Sequence, residues 1–242
     1  MSENRATAIV TGASQGIGAG IVRAFLDRGY NIVANSRRIT ESAEISPSEN
    51  LAVVEGDIGD LLTAQRIAST AVSRFGSIDV LVNNAGIFFT KPFTEYTAED
   101  FRSLVSINLE GFLHITQFAI RQMLAQNKPG SVVTITAALA HNPIRSVTAS
   151  VPMIMKGGLE TATRHLAMEY AKEQIRINAV APGVVYTPLH GDTPQAVMES
   201  LSPMGRPSTV EEIANAVLYL AEAPTVTGTT LYVDGGSHLG RW

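Results

Sequence analysis

The stretch Val10–Gly20, "VTGASQGIGAG", carries glycines at a spacing that does chemistry without any side chain. Gly12 permits a tight turn, Gly16 lets backbone approach a phosphate closely, and Gly18 lets the next helix pack against a sheet. The N-terminus of that helix offers unpaired N–H groups and the positive end of its dipole to an anion. The turn follows an apolar run, "ATAIVTG", and opens a helical pattern, the context in which such spacing carries meaning. The chain has no cysteine, so disulfides, thiolate catalysis and cysteine-based zinc sites are excluded.

The elements that must hold this turn alternate regularly. After "ATAIVTG", the runs "YNIVANS", "NLAVVEGD", "IDVLVNNAG", "GSVVTITA", "IRINAVAPG" and "TTLYVDGG" read as six further strands. Helical patterns separate them: "GIGAGIVRAFLDRG", "LLTAQRIASTAVSRFG", a long one over Ala98–Gln126, one from Pro152 to Glu173, and one over Val210–Ala223. The strands are apolar throughout rather than alternating, so both faces are buried. Strand–helix alternation with crossovers of this length predicts an α/β fold with a doubly wound parallel sheet of about seven strands and helices on both faces. No repeat or linker divides the chain, which reads as one domain over residues 1–242. The least regular segment, Tyr186–Arg206, reads as a lid over a substrate site.

Several motifs together resemble the short-chain dehydrogenase/reductase family over essentially the whole chain. They are the T-G-x-x-x-G-x-G turn at Thr11–Gly18, "NNAG" at Asn83–Gly86, "INAVAPGVVYTP", and "TGTTLYVDGG". The resemblance implies a Rossmann-like fold and a nicotinamide cofactor. The implied contacts are Gly12, Ser14, Gln15, Gly16, Ile17 and Gly18 in the turn; Asp57 and Ile58 after the third strand, at the adenine; and Asn84, Ala85 and Gly86 after the fourth. Lys156, Pro182, Gly183, Val185 and Thr187 complete the set. A carboxylate at the end of the second strand would indicate NAD, but the resemblance places Ser36 there, followed by Arg37 and Arg38. Guanidinium groups suit a 2′-phosphate, so NADP(H) is expected over NAD(H).

The family's active site joins Asn, Ser, Tyr and Lys. Asn108 in "SINLEGF" and Lys156 match two of them. The other two positions hold Ala137 and Pro152. Thr136 is adjacent, but neighbouring strand residues face opposite ways. Pro152 suits a helix start, with Ser150 placed to cap it. His141, in the loop over the expected pocket, is the side chain best suited to exchange a proton near neutrality. Two readings stay open. One is an oxidoreductase with a remodelled site acting on a carbonyl or alcohol. The other is a catalytically inactive NADP(H)-binding protein, a sensor or partner subunit.

The formal net charge of −4, with no block of like charges, argues against a nucleic-acid surface or a membrane-binding polybasic patch. No apolar run is long enough for a membrane span or a signal segment, so a cytoplasmic protein is expected. The resemblance implies a homotetramer or homodimer, using the long helices and the C-terminal segment, where Leu239 and Trp242 would otherwise be exposed.

Overall fold

The computed structural model describes residues 5–191 and 193–240. Seven parallel strands form one sheet in the order β3-β2-β1-β4-β5-β6-β7. They are β1 (Thr7–Thr11), β2 (Asn31–Ser36), β3 (Leu51–Glu55), β4 (Val80–Asn83), β5 (Gly130–Ile135), β6 (Ile175–Pro182) and β7 (Thr230–Val233). The helices are α1 (Gly16–Asp27), α2 (Leu61–Phe75), α3 (Ala98–Val105), α4 (Gly111–Gln126), α5 (Ser150–Glu169), α6 (Gln195–Ser200) and α7 (Val210–Glu222).

Successive strand residues go to opposite sides, and the apolar runs fill both. Ala8 and Val10 of β1 pack with Phe25 of α1 and Val217 of α7. Ile9 of the same strand packs on the other side with Ile67 of α2 and Ile115 of α4. This is why the strands read as continuous apolar runs. Gly20 sets the spacing of α1 against α7: a Cβ there would lie 2.1 Å from Cγ1 of Val210.

Two boundaries differ from the sequence reading. The long helix over Ala98–Gln126 is interrupted by a π-helical segment at Ser106–Glu110, between α3 and α4. The helix expected from Pro152 begins at Ser150. Its N-cap is Ala149, which makes no side-chain cap bond, so Ser150 is the first helical residue and not the cap. Pro152 sits in the first turn, where its missing N–H takes nothing from the helix ladder. The segment Tyr186–Arg206 contains a short 3-10 turn at Pro188–His190 and α6. Its end is tied down by a paired contact from Arg206 to Glu212 of α7, at 2.7 and 3.0 Å. Trp242 lies outside the described residues, and Leu239 is 81% exposed.

Candidate active site

The crevice lies at the carboxyl ends of the strands, where the sheet order turns back between β1 and β4. Ligands bind at such switch points in open α/β sheets. Gly12 and Gly16 hold φ of +64° and +56°, which disfavour any residue with a Cβ. Close approach adds to this at Gly18, where a Cβ would lie 2.2 Å from the Gly12 carbonyl oxygen. Helix α1 has no side-chain cap bond and no acidic residue in its first turn, the arrangement that leaves helix N–H groups open to an anion. Asn84 Nδ2 donates to the carbonyls of Thr11 and Gly12, at 2.9 and 3.0 Å. Thr11 Oγ1 accepts from the backbone N–H groups of Asn84 and Ala85, at 3.1 and 3.0 Å. The turns after β1 and β4 are thus stitched together. Thr11 was not singled out from the sequence, although it stands at a strand end immediately before the glycine turn.

A cleft of about 170 Å³ is lined by Gly12, Ser14, Gln15, Ser36, Arg37, Asp57, Ile58, Ala85 and Gly86, all expected, and by Asn35, Gly56, Ile87 and Ile107, which were not. Ser36 Oγ lies 3.0 Å from Ser14 Oγ. Glu55, the register partner of Ser36, gives its carboxylate to the backbone and hydroxyl of Thr40. Arg37 is exposed and lines the cleft. Arg38 does not line it; its side chain is 79% exposed, and its Nη1 lies 3.9 Å from Glu41 Oε2. Thr187 lies over the turn, with its Cβ 3.4 Å from where a Gly16 side chain would begin. Gly183 packs on Asp234, and Val185 is buried, bridging to Ser208. Pro182 ends β6, and Ile17 lies in the first turn of α1.

Asn108 and Lys156 come together. Asn108 sits on the π segment, a device often found at functional sites. It is 3% exposed, and its Nδ2 donates to the carbonyls of Leu104 and Ile87, at 3.0 and 3.2 Å. Lys156 Nζ donates to the carbonyl of Ile135, at 2.8 Å. A Cβ on Gly86 would meet Asn108 Oδ1 at 2.8 Å and Lys156 Nζ at 3.4 Å. A side chain at Gly86 would press into the point where the two side chains converge. Lys156 is partly buried, and the protein packed around its ammonium lowers it from 10.5 to about 8.

The remaining positions are arranged differently. Ala137 leaves β5 in extended backbone and carries no hydroxyl. Thr136 Oγ1 is 3.1 Å from Glu160 Oε1 and 3.3 Å from the Val180 carbonyl, so its hydroxyl is already engaged. Burial pushes the Glu160 carboxyl up. Pro152 is buried. The ring of His141 lies 5.5 Å from that of Tyr232 and 6.4 Å from that of His238. His238 stacks on Tyr232 at 4.1 Å and holds Asp234 through Nδ1, at 2.9 Å. The neighbouring Asn142 donates to the Ser237 carbonyl, at 2.8 Å. His141 therefore packs against the C-terminal segment and is not among the residues that enclose Lys156 and Asn108. Among the described residues no cluster of three metal-ligating side chains occurs, and no helix is long and apolar enough to cross a membrane.

A seven-stranded parallel sheet with helices on both faces and a glycine turn at its switch point defines a Rossmann-like α/β fold. Residues 12–238 match the family model described as Enoyl-(Acyl carrier protein) reductase. The chain belongs to the short-chain dehydrogenase/reductase family. It is 34% identical to 3β-hydroxysteroid dehydrogenase 1 of Eggerthella lenta, over 96% of this chain and 94% of that protein. Its fold superposes on ElxO with NADP bound at a TM-score of 0.88 and 28% identity, covering 96% of this chain and 98% of ElxO. A gluconate 5-dehydrogenase from Burkholderia cenocepacia, in complex with NADP and tartrate, superposes at 0.87 with 27% identity, covering 97% and 96% of the two chains.

Proposed function

We propose that this protein is an NADP(H)-binding oxidoreductase with a remodelled catalytic centre, acting on a carbonyl or alcohol group of a small molecule. The observation that carries the reading is the convergence of Lys156 Nζ and Asn108 Oδ1 on Gly86, which itself lines the cleft beside the glycine turn. In this reading the N-terminus of α1 and Gly12–Gly18 hold the diphosphate, Asp57 and Ile58 the adenine, and Lys156 the nicotinamide ribose. Ser36 and Arg37 take the 2′-phosphate, with no carboxylate at the end of β2 to repel it. NADP(H), when bound, supplies or accepts the hydride. Support comes from NADP in the ElxO and gluconate 5-dehydrogenase structures and from NADPH in a Tyr-to-Phe variant of ElxO.

The protein surrounds that chemistry unusually. Ala137 and Pro152 offer no hydroxyl where the family has Ser and Tyr, and His141 is the group assigned to proton exchange. A second reading, an inactive NADP(H)-binding sensor or partner subunit, is favoured by one observation: His141 is not among the residues that line the void at Lys156 and Asn108. Titration calorimetry with NADPH and NADH, followed by a carbonyl and alcohol panel, tests the proposal. Tighter NADPH binding and slow cofactor-dependent turnover are expected; NADPH binding without any turnover selects the second reading. Equal affinity for the two cofactors contradicts the NADP(H) preference.

The segment Tyr186–Arg206 is the proposed lid, and Thr187 over Gly16 is its contact with the cofactor turn. A homotetramer or homodimer is proposed through the outer faces of α4 and α5. Those faces expose Leu113, Ile154 and Met168 at 49%, 58% and 80%. A cytoplasmic, soluble protein fits this reading.

A further inference from the structure

Glu55 is the last residue of β3, and its register partner on β2 is Ser36. Ile32 and Ala34 precede Ser36 at alternate positions, and Leu51 and Val53 precede Glu55. All four pack on the α1 side of the sheet. Side chains alternate along a strand, so Ser36 and Glu55 point to that same side. There Ser36 Oγ meets Ser14 Oγ of the glycine turn, where the 2′-phosphate is proposed to sit. A carboxylate thus stands one strand spacing, about 4.8 Å, from a group meant to hold an anion. Among the described residues Glu55 has no ion pair, whereas Glu41 and Glu44 of the β2–β3 connection lie against Arg38 and Arg23.

Thr40 engages this carboxylate instead. Its backbone N–H donates to Glu55 Oε2 at 3.3 Å, and its hydroxyl donates to the same oxygen. These bonds, the hydroxyl's first, hold the Glu55 carboxyl below its ordinary value and so keep it ionised. Glu55 does not line the cleft, although Ser36, Arg37, Gly56 and Asp57 around it do. Thr40 is itself fixed in place. It lies in the 3-10 turn Ile39–Glu41, whose Ile39 is fully buried, and Ser42 just beyond donates to the Ser14 carbonyl at 2.6 Å. We propose that Thr40 is a positioning residue for cofactor choice, holding Glu55 aside so that Ser36 and Arg37 stay open to a 2′-phosphate. Once released, the carboxylate can swing toward Arg37 and the phosphate position. There it repels the phosphate, while a ribose 2′-hydroxyl can donate to it. The stretch "RRITES" gives no sequence signal of this role, because only strand register brings Glu55 beside Ser36.

The inference rests on the NADP(H) reading, and calorimetric titration with NADPH and NADH separates the two. Thr40 and Glu55 are both exposed, so substitutions there leave the core intact. Thr40→Val keeps the shape of the side chain and leaves only the longer N–H bond. The NADPH-to-NADH affinity ratio should then fall by about fivefold or more, the effect of moving one unit charge to about 4 Å from another in water. Thr40→Ser should keep the wild-type ratio. Glu55→Gln added to Thr40→Val should restore it, because the amide carries no charge; a loss caused by a loosened turn would persist. A ratio unchanged in Thr40→Val, or not restored by Glu55→Gln, overturns the role of Thr40 while the wild-type preference for NADPH stands. A wild type without that preference overturns the NADP(H) reading itself, and this role with it.

Discussion

Burial lowers the Lys156 ammonium well below its ordinary value, from 10.5 to about 8. Its depressed value means that the unfolded chain binds more protons than the folded one between about pH 8 and 10.5. Stability therefore rises with pH through that window, and the penalty of burying the ammonium is complete below about pH 8. Lys156→Met should stabilise the cofactor-free protein at neutral pH by no more than about 3 kcal/mol, and that gain should vanish near pH 10.5. Denaturant melts of both proteins at the two pH values check this. At the cleft rim, Arg37→Ala should weaken NADPH by tenfold or more, as expected for a lost charge-assisted bond, and leave NADH nearly unchanged. Calorimetric titration of the variant with each cofactor reads it. The Lys156 and Asn108 positions were legible because motifs flank them. The neighbours of His141 were not, because Tyr232 and His238 come from a segment about ninety residues away that only the folded chain brings near.

At the scale of elements, the seven strands and the main helices were legible because the apolar runs are continuous and bounded by glycine turns. The π segment at Ser106–Glu110 was hidden. One widened turn leaves a helical pattern looking uninterrupted, and the cue lies in backbone hydrogen bonds that sequence does not show. The start of α5 was misplaced because Ser150 resembles a cap, whereas the chain enters the helix one residue earlier at Ala149. The seam between α1 and α7 makes a sharp prediction. Gly20→Ala forces a methyl into Val210 Cγ1 and should destabilise by about 1–3 kcal/mol. Val210→Ala removes the obstructing atom, so the double variant should lose clearly less than the sum of the two singles. Additive losses in thermal melts would show that the seam yields elsewhere.

For the whole molecule, the doubly wound architecture follows from strand order and crossover length, and the family match over residues 12–238 agrees with it. Assembly is less legible, because exposed apolar side chains become interfaces only against a partner. On α5, Gly157 and Gly158 have open space where a Cβ would go, although glycine inside a helix costs about 1 kcal/mol relative to alanine. The proposed second copy, packed on that face, would account for both. Light scattering should give a dimer or tetramer at micromolar concentration, and Ile154→Glu should dissociate it; a wild-type monomer contradicts the assembly. The proposed NADP(H)-dependent oxidoreductase, working without the family's Ser and Tyr hydroxyls, is tested by NADPH consumption with a panel of simple ketones and aldehydes, comparing wild type with Lys156→Ala and His141→Ala. Acid–base assistance is worth about 10² to 10⁴ in rate, so wild-type turnover should be slow, lost in Lys156→Ala and reduced in His141→Ala. Turnover that neither substitution alters would contradict the account.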